Sequence, residues 1–123
     1  MGKILNLGIN SKKIFSIALG LHPPWEVERL EIEEDVNKGI KKFHITIGFR
    51  RGSKFKLPDG SQTTSYDTVE RSWQHLSLFE HPCYLHCKVP RIKDKEGKVK
   101  QVAVPWARKG SGFTLLFEAY AMT

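Results

Sequence analysis

The segment Lys42-Phe43-His44-Ile45-Thr46-Ile47-Gly48-Phe49 alternates apolar and polar residues over almost its whole length. A period of two is typical of a β-strand with one face in the core, because successive side chains point to opposite sides of a sheet. The pattern therefore predicts a half-buried strand. Its predicted core face carries Phe43, Ile45, Ile47 and Phe49, and the opposite face carries Lys42, His44 and Thr46.

Two further elements are predicted before this strand. Residues 25–34 form a strand with a bulge where the apolar phase shifts between Val27 and Leu30. The turn residues at 37–39 join the two strands into a β-hairpin. Upstream, Ser11 is predicted to cap a helix that runs to about Leu19 and ends at Gly20. The spacing predicts a buried helix stripe made of Ile14, Ile17, Ala18 and Leu21.

The apolar pattern disappears between residues 50 and 68, which predicts a long loop. Three strands follow at 73–79, 83–89 and 98–104, and Ser111 begins a final helix with an apolar stripe of Phe113, Leu116, Phe117 and Tyr120. The expected fold class is α+β: a short N-terminal helix, a β-hairpin, a three-stranded antiparallel meander and a C-terminal helix. We expect a first unit at 1–56 and a second at 57–123, packed as one body.

Composition narrows the class of protein. The 123 residues suffice for one domain or two small lobes, and 40% hydrophobic residues exclude a wholly disordered chain. No apolar run reaches the roughly 20 residues that a membrane helix needs. The N-terminus lacks a small-residue cleavage site, so no signal peptide is expected. We therefore expect a cytoplasmic protein with no membrane partner.

The charge is distributed in blocks. The net charge is +7, which favours an acidic partner such as nucleic acid. Residues 26–35 hold six acidic side chains against Arg29, residues 36–56 hold seven basic side chains, and residues 88–109 hold eight basic side chains against two acidic ones. Basic side chains on loops can follow a phosphate backbone. The candidate DNA-contacting residues are Arg50, Arg51, Lys54, Lys56, Arg71, Arg91, Lys93, Lys95, Arg108 and Lys109.

No catalytic or metal motif stands out in the sequence. There is no phosphate-binding glycine loop, nucleophile elbow or paired-carboxylate motif, and the acidic residues at 31–35 are interpreted as a solvated surface. His81, Cys83, His86 and Cys87 lie within seven residues, whereas zinc sites combine two separated pairs. We interpret the cysteines as small core thiols, His81 as a turn residue and His86 as an exposed one.

Several ordered motifs resemble one known family. The segments YDTVERSWQHL (66–76), HPCYLHCKVPR (81–91) and VPWARKGSGFT (104–114) are similar to motifs of the ISL-three family of insertion-sequence transposases. LGL at 19–21, PWEV at 24–27 and RGSKF at 51–55 are similar to its opening. The resemblance implies an N-terminal zinc-ribbon module that recognises the terminal repeats of the element. In the family, a helix-turn-helix and a DDE nuclease domain follow this module.

The chain departs from this family at the metal ligands. LPDG at 57–60 stands where the family has its first cysteine knuckle, and Asp94 stands at a cysteine position of the second. The resemblance therefore carries no zinc over, and we expect no cofactor. Packing would have to replace the metal, with Leu57 buried at a former ligand position. The expected core also holds Trp73, Trp106, Phe113 and Phe117, and the three tryptophans are interpreted as core rather than base-stacking residues.

These observations predict a DNA-binding module related to transposase end recognition. The catalytic domain of the family would lie beyond Thr123, so we expect a non-enzyme, either a truncated relic or an accessory protein. One alternative is a protein-interaction module that assembles through the apolar stripe of the C-terminal helix. Another is an RNA-binding module, which the charge argument supports equally.

Overall fold

The fold is mainly β. A computed structural model describes residues 2–6, 9–78 and 80–121. One mixed sheet holds six strands in the order β1-β2-β3-β7-β6, with β8 paired to β7, and β4 and β5 form a separate small sheet. The elements are β1 Gly2–Asn6, α1 Ile9–Ala18, β2 Trp25–Asp35, β3 Ile40–Phe49, β4 Lys54–Lys56, β5 Gln62–Thr64, β6 Asp67–Leu78, β7 His81–Lys93, β8 Val99–Gln101 and α2 Leu115–Ala121.

The expected α+β architecture, a helix and hairpin beside a three-stranded meander, is wrong. The predicted hairpin exists as β2 and β3, but β3 continues into the later strands by pairing in parallel with β7. Cα partners run from Phe43 with Cys83 to Ile47 with Cys87. One large sheet therefore replaces the separate hairpin and meander that were expected. The boundary predicted between residues 56 and 57 falls at the end of β4 and stays a prediction.

The central strands have one core face. Ile45, Leu85 and Val89 are almost fully buried, as their alternation in the sequence predicts. Trp73 from β6 and Trp106 from the segment before α2 pack edge to face, with ring centroids 5.4 Å apart. Cys83 and Cys87 lie in the same core, which confirms their interpretation as core thiols. Burial raises the pKa of Cys83 to about 11 and that of Cys87 to about 12, so neither is a thiolate at neutral pH.

Helix α1 differs from its prediction both in its bounds and in the side chains that it turns toward the core. It begins at Ile9, so Ser11 lies inside the helix and is not its cap. Ile14 and Ile17 are exposed at 63% and 81%, and Ala18 is exposed as well, whereas Phe15, Leu19 and Leu21 pack against the core. Of the predicted stripe, only Leu21 is therefore confirmed. The hydroxyl of Ser16 accepts a hydrogen bond from the Val27 amide at 3.3 Å, which fixes this side of the helix against β2.

The end of α1 follows the prediction. Gly20 has a φ of 66°, a left-handed conformation that glycine adopts without steric cost. The Leu21 amide donates to the carbonyl of Ser16 and the Gly20 amide donates to that of Ile17, both at 3.0 Å. This pair of bonds is a Schellman cap, and it satisfies carbonyls that the helix leaves free.

The segment 50–68 is not structureless as predicted. It contains the β4–β5 hairpin, in which Phe55 is buried against Trp25 and Phe49. Leu57, expected in the core, is only half-buried. Aromatic packing of Phe55 therefore anchors this hairpin to the sheet.

The C-terminal part also differs from its prediction. Strand β8 covers only three residues, and α2 begins at Leu115 rather than at Ser111. Thr114 caps α2, because its hydroxyl accepts the Phe117 amide at 3.2 Å. Phe113, expected in the core, is 43% exposed. Phe79, the last residue of one predicted strand, lies outside the described residues.

His75 ties the sheet to the cap of α2. Its Nδ1 lies 2.8 Å from the hydroxyl of buried Thr114, and burial lowers the pKa of the imidazole below its ordinary value of 6.5. The unfolded chain therefore binds more protons than the folded one as the pH falls past 6.5. We expect the free energy of unfolding to decrease from pH 7.5 to pH 5.5, as measured by urea denaturation. His75→Gln, which keeps a hydrogen-bonding group, should reduce this decrease, and an unchanged pH dependence would contradict the assignment.

Candidate nucleic-acid interface

The sheet has a second, polar face opposite the core. Helix α1 and the segment around Trp106 pack on the core face, and the other face holds a groove of about 890 Å³. We call this side the open face. Strand register places Arg29, Thr46, His86 and Ser72 side by side across β2, β3, β7 and β6. Four basic residues line the groove: Arg29, Arg51, Arg71 and Lys88.

The bulge in β2 shapes one side of the groove. The register of β2 against β3 shifts between Val27 and Arg29, which confirms the predicted bulge and leaves Glu28 as the extra residue. The Glu28 side chain lies over Gly48, where a Cβ would be only 1.7 Å from the carboxylate oxygen Oε1. Glycine at position 48 therefore provides the space in which this carboxylate lies.

A chain of hydrogen bonds crosses the open face. Oε1 of Glu33 lies 2.8 Å from Nε2 of His44, Nδ1 of His44 lies 2.8 Å from Nε2 of His86, and Nδ1 of His86 lies 2.7 Å from the Ser72 hydroxyl. The hydrogen bond from His44 lowers the pKa of Glu33. Burial, together with the nearby His44 and Arg29, lowers the pKa of His86. His86 thus lies on the face opposite the core, as the sequence predicted, but it is half-buried and part of a hydrogen-bond network.

Four of the ten predicted DNA-contacting residues are in ion pairs. Arg91 binds Asp67 through two hydrogen bonds, one of them from Nε to Oδ1 at 2.7 Å. Arg108 binds Glu118 of α2 in the same two-pronged way. Lys95 Nζ lies 3.3 Å from Asp59, and Arg50 Nε lies 4.0 Å from Glu26. To contact a phosphate, each of these cations would have to leave or share its carboxylate.

The other six residues are placed differently. Arg51 and Arg71 line the groove, and Arg71 also donates to the side-chain oxygen of Gln101 at 3.2 Å. Lys93 lies over the ring of Tyr66, 5.1 Å from its centroid. Lys54, Lys56 and Lys109 are exposed, and no ion pair is found for them within the part of the chain that is described. Arg29 and Lys88 line the groove but were not among the residues predicted from the sequence. Arg29 lies on β2 and Lys88 on β7, and only the parallel pairing of β3 with β7 brings these two strands into one sheet.

The positions that would hold zinc in a ribbon do not fit a metal. In the first turn, the Asp59 carboxylate accepts hydrogen bonds from the Ser61 hydroxyl and, at 2.8 Å, from the Ser61 amide, and these two bonds lower the pKa of Asp59 to about 2. In the second, Asp94 accepts the amides of Glu96 and Lys98 at 2.9 and 2.8 Å. The Lys95–Asp59 ion pair joins the two turns. Backbone hydrogen bonds therefore hold both turns without thiolate ligands.

Neither helix of the described residues, α1 with 10 residues or α2 with 7, could span a lipid bilayer.

Comparison with known proteins identifies one segment. Residues 102–123 match the helix-turn-helix domain of transposase family ISL3, whereas no curated protein and no solved structure matches the chain. The match begins at residue 102, earlier than expected, since the helix-turn-helix was predicted to follow the whole chain. Within the described residues, the matched segment contains one helix, α2, together with the core residues Trp106 and Ala107. The C-terminal part of this protein is thus similar to a transposase helix-turn-helix domain, a class of DNA-binding unit.

Proposed function

We propose that this protein is a DNA-binding module that recognises the terminal repeats of an insertion element and contributes no catalytic residue to its transposition. The similarity of residues 102–123 to the ISL3 helix-turn-helix is the observation that carries the proposal. The net charge of +7 supports it, since a polyanion attracts a basic surface at long range. We place the protein in the cytoplasm. It needs no zinc for folding, because hydrogen bonds and an ion pair hold the two turns where a ribbon has its ligands.

The cations without a carboxylate partner are proposed as the main phosphate contacts. Lys54 and Lys56 lie on β4, and Arg51 precedes them in the turn after β3. All three are exposed, so they can reach a phosphate without the cost of breaking an ion pair. The paired residues Arg91 and Arg108 are proposed as secondary contacts, because their guanidinium groups already share charge with Asp67 and Glu118.

DNA binding is tested by titrating a labelled terminal-repeat duplex at about 50 and 200 mM salt. We expect micromolar or tighter binding that weakens steeply with salt, because phosphate neutralisation releases counterions. Replacing both Lys54 and Lys56 with alanine should reduce the slope of log affinity against log salt by about 2, or about 1 for each lost contact.

The matched control removes two positive charges from the β2–β3 hairpin, at its turn and away from β4. Lys38 lies in the β2–β3 turn and Lys41 opposite Glu34, so Lys38→Ala with Lys41→Ala should leave the slope unchanged. Negligible binding of the unmodified protein at both salt concentrations would refute the proposal. Equal reductions of the salt slope in the two double variants would refute the assignment of the phosphate contacts to β4.

A second candidate function is protein assembly. It rests on the exposed apolar side chains at α2, where Phe113, Leu115 and Leu116 are 43%, 45% and 47% exposed. Large apolar side chains grouped on a surface often mark an interface. Light scattering on a dilution series of the same samples separates the two functions, because a protein that binds DNA as a strict monomer excludes self-association.

A further inference from the structure

Two histidine rings on the open face direct nitrogen atoms at each other. His44 lies on β3 and His86 on the parallel neighbour β7, two positions apart in register, because the Cα partner of His86 is Thr46. Nδ1 of His44 and Nε2 of His86 are 2.8 Å apart, and the ring centroids are 5.0 Å apart. Both side chains line the groove, so solvent and small ions reach them from one side.

We propose that His44 and His86 form a binding site for a divalent transition-metal ion of the class Zn²⁺, Ni²⁺ and Cu²⁺. Imidazole nitrogen suits these ions. Bonds of about 2.0–2.1 Å from zinc to nitrogen place two nitrogens of a tetrahedral site about 3.3–3.4 Å apart. The observed separation of 2.8 Å is short of this by roughly half an ångström, a change that small ring rotations supply.

The outer nitrogens are already held as they are in metal sites. A histidine that binds a metal through one nitrogen generally donates the N–H of the other to a carboxylate, carbonyl or similar acceptor. Here the carboxylate of Glu33 holds Nε2 of His44, and the hydroxyl of Ser72 holds Nδ1 of His86. These partners hold both rings with their remaining nitrogens facing inward, where the N–H of His86 Nε2 donates to Nδ1 of His44. Metal binding replaces this hydrogen bond: the proton moves by way of solvent to Nδ1 of His86, whose N–H then donates to the Ser72 hydroxyl, and both inward nitrogens are free to bind the ion.

Water supplies the remaining ligands of this site. In the described part of the chain, no three His, Cys, Asp or Glu side chains are grouped to hold a metal ion. Two protein nitrogens therefore hold the ion, and the groove leaves room for water on its open side. Such a site exchanges its metal with solvent and does not hold the fold together, unlike the cysteine knuckles of a zinc ribbon. The buried thiols of Cys83 and Cys87 face the core and take no part in it.

Zinc titration of chelator-treated protein tests the site. We expect one Zn²⁺ ion to bind per chain by isothermal titration calorimetry. His44→Ala and His86→Ala should each weaken the affinity at least tenfold. Glu33→Gln should weaken it by roughly 10–100-fold, because loss of an outer partner has this effect in other metal sites. His22→Ala serves as the matched control and should change nothing, since His22 is exposed and lies on the loop after α1.

A second measurement uses the unmodified protein and so does not depend on whether the variants fold. Added Cu²⁺ should give an electron paramagnetic resonance spectrum with nitrogen hyperfine splitting from two imidazoles. Absence of stoichiometric zinc binding, or binding that persists in both histidine variants, would overturn the proposal. A copper spectrum with oxygen ligands alone would overturn it as well.

Discussion

Replacing Trp106 with alanine is expected to lower the free energy of unfolding by about 3–5 kcal/mol, the range for removal of a buried aromatic side chain. Trp106 is 7% exposed and packs edge to face against Trp25 and Trp73, with centroids 5.2 and 5.4 Å away. Its carbonyl also accepts the Leu115 amide at 2.8 Å. Trp106 thus joins the sheet to α2. Urea denaturation monitored by far-ultraviolet circular dichroism, a signal that does not rely on tryptophan fluorescence, measures the loss of unfolding free energy.

Trp106→Phe provides the control for this prediction. The indole Nε1 of Trp106 is buried, and no hydrogen-bond partner is found for it among the described residues. An unsatisfied buried donor costs about 1–3 kcal/mol, so its removal offsets part of the packing that phenylalanine loses. We expect the phenylalanine variant to lose less than half as much stability as the alanine variant. A loss below about 1 kcal/mol for alanine would show that Trp106 is not a core residue.

The same residue links stability to the proposed function. Trp106 lies inside the segment that matches the transposase helix-turn-helix, and Arg108 and Glu118 form an ion pair across that segment. The segment therefore depends on the sheet for its position. If residues 102–121 contact DNA, we expect Trp106→Ala to weaken DNA binding even at temperatures where the sheet remains folded.

Alternation of apolar residues predicted the individual strands but not their arrangement. The core facing of Ile45 and Ile47, the bulge after Val27 and the burial of Cys83 and Cys87 follow from local periodicity. The parallel pairing of β3 with β7 does not, because a period of two says which face is buried and not which strand lies alongside. The facing of His44 and His86 was therefore predictable, whereas their contact across the two strands was not.

Helix α1 shows a second limit of periodicity. The spacing of Ile14 and Ile17 fits a buried stripe that continues to Leu21, yet of these three only Leu21 packs against the core, beside Phe15 and Leu19. The hydrogen bond from the Val27 amide to Ser16 requires this side of the helix to face the sheet. This polar contact agrees with the packing of Phe15 on the same side of the helix, and hydrophobic spacing alone does not register it.

Charge blocks in the sequence overstate the basic surface of the folded protein. Glu33 and Glu34 of the acidic block lie opposite Lys42 and Lys41 of the basic block across the β2–β3 hairpin. Favourable cross-strand pairs of this kind stabilise a sheet and neutralise one another at a distance. Within the basic block at 36–56, Arg51, Lys54 and Lys56 follow the end of β3 and lie opposite no acidic residue of β2, which is why the DNA prediction relies on β4.

Replacing Leu85 with alanine tests the central strand and is expected to cost about 2–5 kcal/mol. Leu85 is 0% exposed, and strand register places it between Ile45 of β3 and Trp73 of β6. The substitution leaves a cavity where β7 pairs in parallel with β3 and antiparallel with β6. Backbone hydrogen bonds hold both neighbouring strands in place, so their side chains cannot fully collapse into the cavity.

The exposed edge strand provides the comparison for Leu85→Ala. Val99 on β8 is 39% exposed and pairs only with the end of β7, so Val99→Ala should change stability by no more than about 0.5 kcal/mol. Urea denaturation of both variants measures the difference. In an antiparallel meander without the β3–β7 pairing, Leu85 would have Trp73 as a neighbour but not Ile45, and the site would collapse more easily. Similar small losses for the two variants would therefore argue against the mixed sheet itself.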